Sequence, residues 1–318
     1  MMIPAIQVLG YLGFAVIWII VFLVVFKASI GLYSVYLAPI LLPFKFEPTS
    51  DSWAIVTGST DGIGLEYSKK LAEKGFHLLL ISRNQKKLDR VRKEILEEYP
   101  SCPEIVNLAF DFQNLDYAPI EAAIANLPSI DILVNNVGHA DWAPDYFTNI
   151  EPWEELEKTI RINIFSMTRL SYIVIPRMEV RRKGIIVNIS SFSALVPTPC
   201  LAVYGATKSY MDYLSRALSV ECHSKGIIIQ SVLPQFVSTN MSQMKPGFGV
   251  PDAKTYVDAS FKTIGYETRT SGYWNHRFKA VVVKIIALFS DSLMPHMILM
   301  CMLLIYNKLY HKYNVKIN

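Results

Sequence analysis

Ser191, Tyr204 and Lys208 bring together a hydroxyl, a phenol and an ammonium at spacings suited to moving a proton onto a carbonyl oxygen. Tyr204 and Lys208 lie four residues apart in GATKSYMDYLSRAL, and residues i and i+4 of a helix share one face. A phenol has an ordinary pKa near ~10, too high for ready exchange at neutral pH. A neighbouring ammonium stabilises the phenolate and lowers that value, so the spacing predicts Tyr204 as a general acid tuned by Lys208. Ser191 ends the apolar segment GIIVNISS thirteen residues earlier. Its hydroxyl is expected at a strand end, within reach of the same oxygen.

A pair of this kind is common on helix surfaces, so the elements around it decide its meaning. The stretch WAIVTGSTDGIGLEYSKKLAEKGFHLLLISRN reads as strand, glycine turn, helix, strand, which is half of a dinucleotide fold. Gly58, Gly62 and Gly64 permit positive φ and a close approach of backbone to phosphate. The helix predicted from about Ile63 to Lys74 offers its N-terminus to a diphosphate, and Gly75 is placed to end it.

The glycine spacing is G-x-x-x-G-x-G, and here the chain resembles the short-chain dehydrogenase/reductase family. Its motifs occur in order: TGSTDGIG at 57 to 64, NNVG at 135 to 138, then Ser191, Tyr204 and Lys208. The resemblance covers about Ser52 to Phe278. Within the family, DILVNNVG, GIIVNISS and IIIQSVLPQFVST look most like the membrane-bound subgroup containing 17β-hydroxysteroid dehydrogenases types 3 and 12 and the very-long-chain 3-oxoacyl-CoA reductases. The inactive hydroxysteroid-dehydrogenase-like protein 1 is similar too, but it loses the catalytic phenol that this chain keeps.

The end of the second strand bears on cofactor choice. An acid there would accept hydrogen bonds from a free ribose 2′-hydroxyl and repel a 2′-phosphate. HLLLISRN has none; Ser82 can donate a hydrogen bond and Arg83 can pair with a phosphate and stack on adenine, which favours NADP(H). The resemblance implies further cofactor contacts at Ser59 and Ile63 in the glycine turn, Asp111 at the adenine, and Asn135 between the central strand and the cofactor. It also implies Val237 and Thr239 at the nicotinamide carboxamide, and nicotinamide-ribose contacts from Tyr204 and Lys208. It makes Asn163 a water-holding member of a proton relay to Lys208. Physics alone reads Asn163 equally as a buried amide satisfying backbone groups.

The ends of the chain point to a membrane. Residues 1 to 26 carry only Gln7 as a strongly polar side chain, and Lys27 is the first charge, so the run exceeds the roughly 20 apolar residues that cross a bilayer. The cues of a cleaved signal peptide are poor, which favours an uncleaved anchor. Ala28 to Phe44 is a second uncharged stretch, read as a second crossing, a re-entrant segment or an interfacial arm. Near the C-terminus AVVVKIIALFS and LMPHMILMCMLLIY fit either a monotopic hairpin or two amphipathic helices packed on the core. Lys27 and Lys45 after the apolar runs suggest a catalytic domain in the cytosol, and the resemblance implies the endoplasmic reticulum.

Composition agrees with this layout, with 52% hydrophobic residues and a mean hydropathy of +0.28. A net charge of +4, spread along the chain, gives no nucleic-acid footprint. Cys102, Cys200, Cys222 and Cys301 show no metal or disulfide spacing, and no metal is expected. The domains expected are an anchor at 1–50, a catalytic domain at 51–278 and an apolar extension at 279–318. Strands are predicted near 104 to 110, 131 to 136, 184 to 190 and 227 to 233, with helices near 84 to 99, 117 to 127, 153 to 180 and 203 to 225. That alternation predicts an α/β fold, a Rossmann-type doubly wound parallel sheet.

The resemblance implies an NADPH-dependent ketoreductase of a lipid carbonyl. The first expectation is reduction of a 3-oxoacyl-CoA in very-long-chain fatty-acid elongation, beside elongation enzymes and as a homodimer. A 17-keto steroid is the alternative, and an NADP-binding scaffold without turnover is the alternative of another class. The apolar wall for substrate is sought in Trp142, Tyr146, Phe147, Phe236, Met241, Met244, Phe248 and Trp274. A cradle for CoA phosphates is sought among Lys245, Lys254, Lys262, Arg269 and Arg277.

Overall fold

The strand and helix alternation is realised as one parallel sheet covered on both faces. The computed structural model describes residues 5–33, 37–41, 44, 46–140, 144–289 and 293–313. Seven strands, β1 (Trp53–Thr57), β2 (His77–Ser82), β3 (Ile105–Ala109), β4 (Ile132–Asn135), β5 (Gly184–Ile189), β6 (Ile227–Val232) and β7 (Arg269–Thr270), run in the order β3-β2-β1-β4-β5-β6-β7. All the pairings are parallel. A parallel sheet buries both faces, and this is why the strands read as unbroken apolar runs such as HLLLIS and GIIVNI.

Alternate residues of each strand feed two separate cores. On one face Ala54, Val56, Leu78 and Leu80 meet Tyr67 and Leu71 of α3 (Gly62–Glu73), Leu88, Val91 and Ile95 of α4 (Gln85–Glu98), and Tyr256 of α9 (Ala253–Phe261). On the other face Ile55, Leu79, Ile81, Leu133 and Ile186 meet Ile120 and Ile124 of α5 (Ala118–Ala125) and Leu170, Val174 and Met178 of α7 (Ser166–Arg181). The local signals explain the helix ends. Asn84 accepts from Lys87 N at 3.0 Å as the N-cap of α4, and Gly75, at φ +88°, follows α3.

The stretch expected as one helix from 153 to 180 is broken. α6 (Trp153–Ile160) passes into a π turn at Arg161–Phe165 before α7 begins, and Asn163 lies inside that turn. Such single-turn bulges gather at functional positions. α8 (Ala202–His223) carries Tyr204 and Lys208. The sequence predicts neither α9 nor β7, and a two-residue edge strand such as β7 has no readable period.

The chain ends form helices. α1 (Ala5–Leu32) has 28 residues, is followed by the short α2 (Ala38–Leu41), and packs against α10 (Trp274–Phe289), which in turn meets α11 (Leu293–Tyr313). Tyr11, Leu12, Phe14, Ile17, Trp18 and Phe22 of α1 are exposed. Some side chains of α1 lie outside the described residues. Counted over the described residues alone, no helix is long and apolar enough to cross a membrane.

Candidate active site

The carboxyl ends of β1, β4, β5 and β6 meet where the sheet order reverses between β1 and β4, the crevice in which such sheets bind ligands. The glycine turn lies there. Gly58 and Gly62 have φ of +61° and +53°, and a Cβ on Gly64 would stand 2.3 Å from both Asn136 Nδ2 and the Gly58 carbonyl oxygen. No side chain at Asp61 caps the first turn of α3, so its N–H groups face the turn without a side-chain partner. The Ser59 hydroxyl is buried with no hydrogen-bond partner among the described residues. Backbone room, uncapped donors and an unsatisfied hydroxyl fit a dinucleotide diphosphate.

The turn is held by two residues that the sequence reading passed over. Thr57 Oγ1 accepts from Asn136 N at 2.9 Å and Val137 N at 3.0 Å. Asn136 Nδ2 donates to the Thr57 and Gly58 carbonyls at 3.0 and 3.2 Å. Asn135, which the resemblance places between the central strand and the cofactor, donates from Nδ2 to Asn188 Oδ1 at 2.8 Å and Ser171 Oγ at 3.3 Å. Neighbours on a strand point to opposite faces, and the second asparagine of NNVG was the available signal.

Around the turn, Ser82 Oγ pairs with Thr60 Oγ1 at 3.0 Å, and Arg83 and Asp111 are exposed at the ends of β2 and β3. Ile63 packs against the α3 side of the core. A Cβ on Gly62 would lie 2.8 Å from Thr239 Cγ2, so the segment after β6 closes over the turn. Val237 is buried below it. A cleft of about 460 Å³ opens here, lined by Asp61, Gly62, Leu65, Ser238, Thr239 and Met244. Asn240 Nδ2 donates to Asp61 Oδ2 at 2.5 Å across its mouth.

Ser191, Tyr204 and Lys208 converge as their spacing predicted. Ser191 follows β5 and its Oγ accepts from Ser193 N at 3.2 Å. Lys208 Nζ stands 5.7 Å from the centre of the Tyr204 ring and donates to the Ile189 carbonyl at 2.9 Å. The expected tuning is not what these groups show. Burial pushes the Tyr204 phenol up, with the Ser191 side chain opposing, and burial pulls Lys208 down to about 7. Lys208 is 4% exposed; loss of water disfavours both charged forms, and its ammonium points at a carbonyl rather than at the phenol oxygen.

The Asn163 side chain is buried and satisfies backbone groups, as one of its two readings expects. Its Oδ1 accepts from His139 N at 2.7 Å, while Nδ2 donates to the His139 carbonyl and to Thr207 Oγ1, each at 2.9 Å. The amide thus ties the π turn to the segment that follows β4 and to α8. It remains next to Lys208, since a Cβ on Gly138 would lie 3.3 Å from Lys208 Nζ and 3.4 Å from Asn163 Oδ1.

The substrate side is more open. Phe147, Ile150, Trp153 and Leu156 line a groove of about 780 Å³. Tyr146, Met241, Met244 and Trp274 are exposed, Phe236 is partly so, and Phe248 is 93% exposed. Trp142 lies outside the described residues. Of the basic candidates, Arg269 is held by Asp212 at 2.9 Å, Arg277 by Glu267 at 2.7 Å and Lys254 by Asp258 at 2.8 Å. Charges already paired make poor phosphate ligands, so Lys245 and Lys262, both exposed, are the better candidates. Among the described residues no cluster of His, Cys, Asp or Glu could hold a metal ion.

Comparison with known proteins agrees with this geometry. The family model described as short chain dehydrogenase matches residues 52–246. The very-long-chain 3-oxoacyl-CoA reductase-A of Danio rerio is 42% identical over 272 residues, 82% of this chain and 84% of that protein. The very-long-chain 3-oxoacyl-CoA reductase of Homo sapiens is 42% identical over 239 residues, 74% of this chain and 76% of its own. Among solved structures, a short-chain dehydrogenase from Sphingobium yanoikuyae in complex with NADPH superposes with a TM-score of 0.63 at 27% identity, covering 76% of this chain and 96% of that one. With the glycine turn, the serine and the tyrosine–lysine pair in one crevice of a seven-stranded parallel sheet, the chain belongs to the short-chain dehydrogenase family.

Proposed function

We propose that this chain is an NADPH-dependent ketoreductase that converts a 3-oxoacyl-CoA to the 3-hydroxyacyl-CoA in very-long-chain fatty-acid elongation. The observation that carries the reading is the meeting of Ser191, Tyr204 and Lys208 beside a glycine turn shaped for a dinucleotide, in a chain whose 42% identical relatives are named for that reaction. Gly58, Ser59, Gly62, Ile63 and Gly64 would hold the diphosphate, Ser82 and Arg83 the adenosine phosphate, Asp111 the adenine, and Val237 and Thr239 the carboxamide. Asn135 acts on the cofactor from behind, by fixing β4 to β5.

When bound, reduced nicotinamide supplies the hydride. Ser191 hydrogen-bonds the carbonyl oxygen and the Tyr204 hydroxyl gives it a proton. Lys208 binds the nicotinamide ribose and restores the proton to Tyr204. A phenol whose pKa is raised by burial holds its proton at neutral pH but is the weaker acid for it, so ready donation requires the phenolate to be stabilised once cofactor and substrate are bound. General acid catalysis of this kind is worth about 10² to 10⁴ in rate. Asn163 Oδ1 accepts one hydrogen bond from the protein and keeps a second lone pair that a relay water could use.

The organisation we infer is an anchor at 1–50, a catalytic domain at 51–278 and an apolar extension at 279–318. The protein would sit on the endoplasmic reticulum membrane with the catalytic domain in the cytosol. The exposed Tyr172 and Val180 of α7, with Tyr213 and Val220 of α8, suit a homodimer. Elongation enzymes would supply and consume the acyl-CoA.

The test is NADPH oxidation by detergent-solubilised protein with a long-chain 3-oxoacyl-CoA, with estrone and androstenedione as comparisons and Tyr204→Phe as the blank. The expected result is turnover of the acyl-CoA that falls at least about 10²-fold in Tyr204→Phe while NADPH still binds. Turnover of the steroids alone would replace the substrate class. NADPH binding without turnover of any of them would point to the scaffold.

A further inference from the structure

Gln235 follows Pro234 at the end of β6 and opens the segment that reaches Thr239 beside the glycine turn. α10 grips it twice. The Gln235 backbone N–H donates to His276 Nδ1 at 3.3 Å, and Lys279 Nζ donates to Gln235 Oε1 at 2.8 Å. His276 is wholly buried, with the rings of Tyr256 and Tyr273 centred 5.6 and 5.5 Å from its own. A nitrogen that accepts must be unprotonated. Burial pulls the imidazole down to about 4, so the acceptor persists through neutral pH, while Nε2 is buried without a hydrogen-bond partner among the described residues.

The same helix meets the far end of this loop. Gly249 has φ of +79°, and a Cβ there would lie 2.9 Å from Lys279 Nζ and 3.0 Å from Asn275 Oδ1. Between Gln235 and Gly249 the loop contributes Ser238, Thr239, Asn240, Gln243 and Met244 to the cleft beside the glycine turn. α10 therefore holds both ends of the segment that closes over that cleft. A buried imidazole in the first turn of α10 is not needed for the chemistry of Ser191, Tyr204 and Lys208, and packing alone would be served as well by an apolar side chain.

We propose that His276 and Lys279 are positioning residues, which act through Gln235 to hold Pro234–Thr239 where Val237 and Thr239 reach the cofactor. The inference rests on the proposed NADPH-binding function and deepens it: cofactor affinity depends on the seating of α10. Because α10 also packs against α1, the helices at the two ends of the chain are joined to the cofactor loop by these contacts.

Two substitutions separate hydrogen bonding from packing. His276→Asn keeps an acceptor oxygen near the position of Nδ1 and loses ring volume, whereas His276→Phe keeps a ring, somewhat larger than imidazole, and loses the acceptor. NADPH binding to the full-length, detergent-solubilised protein is measured by nicotinamide fluorescence, and KM and kcat are measured alongside. The expected result is affinity within about 3-fold of wild type for His276→Asn and about 10-fold weaker for His276→Phe, the scale of one buried hydrogen bond. The loss should appear in KM for NADPH, with kcat at saturating NADPH nearly unchanged. Tighter binding by the phenylalanine variant than by the asparagine variant would mean packing alone and overturn the inference. Lys279→Met is partly exposed and keeps the test open if both His276 variants fail to fold; affinity equal to wild type would overturn the inference there. A wild-type protein that binds no NADPH would overturn the proposed function itself, and this inference with it.

Discussion

Lys208 sits in an environment far from its chemistry in water. It is 4% exposed, its pKa falls to about 7 through burial, and in the unfolded chain it returns to the ordinary value near ~10.4. Between those limits the unfolded chain binds more protons, and stability rises with pH wherever that holds. The penalty for burying a charged Lys208 is thus fully present below about 7 and fades as pH rises toward the unfolded value. Equilibrium urea unfolding of cofactor-free protein should show stability increasing from pH 7 to 9.5 relative to Lys208→Met, which lacks this slope. At pH 7 the methionine variant should be the more stable, by a few kcal/mol at most, while its turnover collapses. A flat difference between the two proteins across that range would mean that Lys208 is charged and paired in the folded state. The same residue shows why the sequence misjudged the tuning. The i, i+4 spacing fixes which face both groups occupy, but burial of that face and the pull of the Ile189 carbonyl arise from β5, far away in sequence.

At the scale of elements, the glycines make opposite predictions for one substitution. Gly64→Ala drives a Cβ to within 2.3 Å of Asn136 Nδ2 and the Gly58 carbonyl. The carbonyl is backbone and cannot step aside, so the turn must open, at a cost on the order of 1–3 kcal/mol and with loss of NADPH affinity. Gly205 lies inside α8, where a Cβ would meet Thr198 at an ordinary 3.5 Å. Gly205→Ala should stabilise by about 0.5–1 kcal/mol, the helix-interior difference between the two residues. Urea midpoints of the two variants against wild type check both signs; a Gly64→Ala protein that keeps wild-type stability and NADPH affinity would remove the turn from the cofactor site. The elements themselves were legible wherever burial imposes a period or a cap fixes an end: α3, α4, α8 and β2 to β6 all fall where the apolar runs and Asn84 or Gly75 place them. What escaped was set by contact between distant segments. The π turn at Arg161–Phe165 has the same apolar spacing as the helices that flank it, and it is identified only by Asn163 reaching His139 and Thr207. Thr57 of β1 and Asn136 after β4 lock the glycine turn from two distant segments, and His276 belongs to a helix whose apolar sequence fits lipid and a packed core alike and gives no sign of the loop it meets.

At the scale of the whole molecule, the described side chains of α1 pose a single physical problem. Phe14, Ile17, Trp18, Phe22 and Phe26 are each more than half exposed, on a helix of 28 residues that is about 42 Å long at 1.5 Å per residue. Burying one large apolar side chain is worth roughly 1.5–3 kcal/mol, and contiguous exposed apolar surface of this extent marks a contact with lipid or protein. α10 covers part of α1, and Phe278, Met297 and Met300 of the C-terminal helices are exposed alongside. A bilayer satisfies all these faces at once, because every backbone polar group of a helix is already bonded within it. Expressed in cells, the full-length protein should therefore stay with the membrane fraction through high salt and alkaline carbonate, and enter solution only with detergent. Release by carbonate would show that the apolar faces are closed by protein, and the search would then turn to a second copy of the chain. If the protein stays with the membrane, the consequence reaches the chemistry: α1 touches α10, α10 holds Gln235, and Gln235 opens the loop over the cofactor. Detergents that disturb the helices at the chain ends should then raise KM for NADPH before they lower kcat.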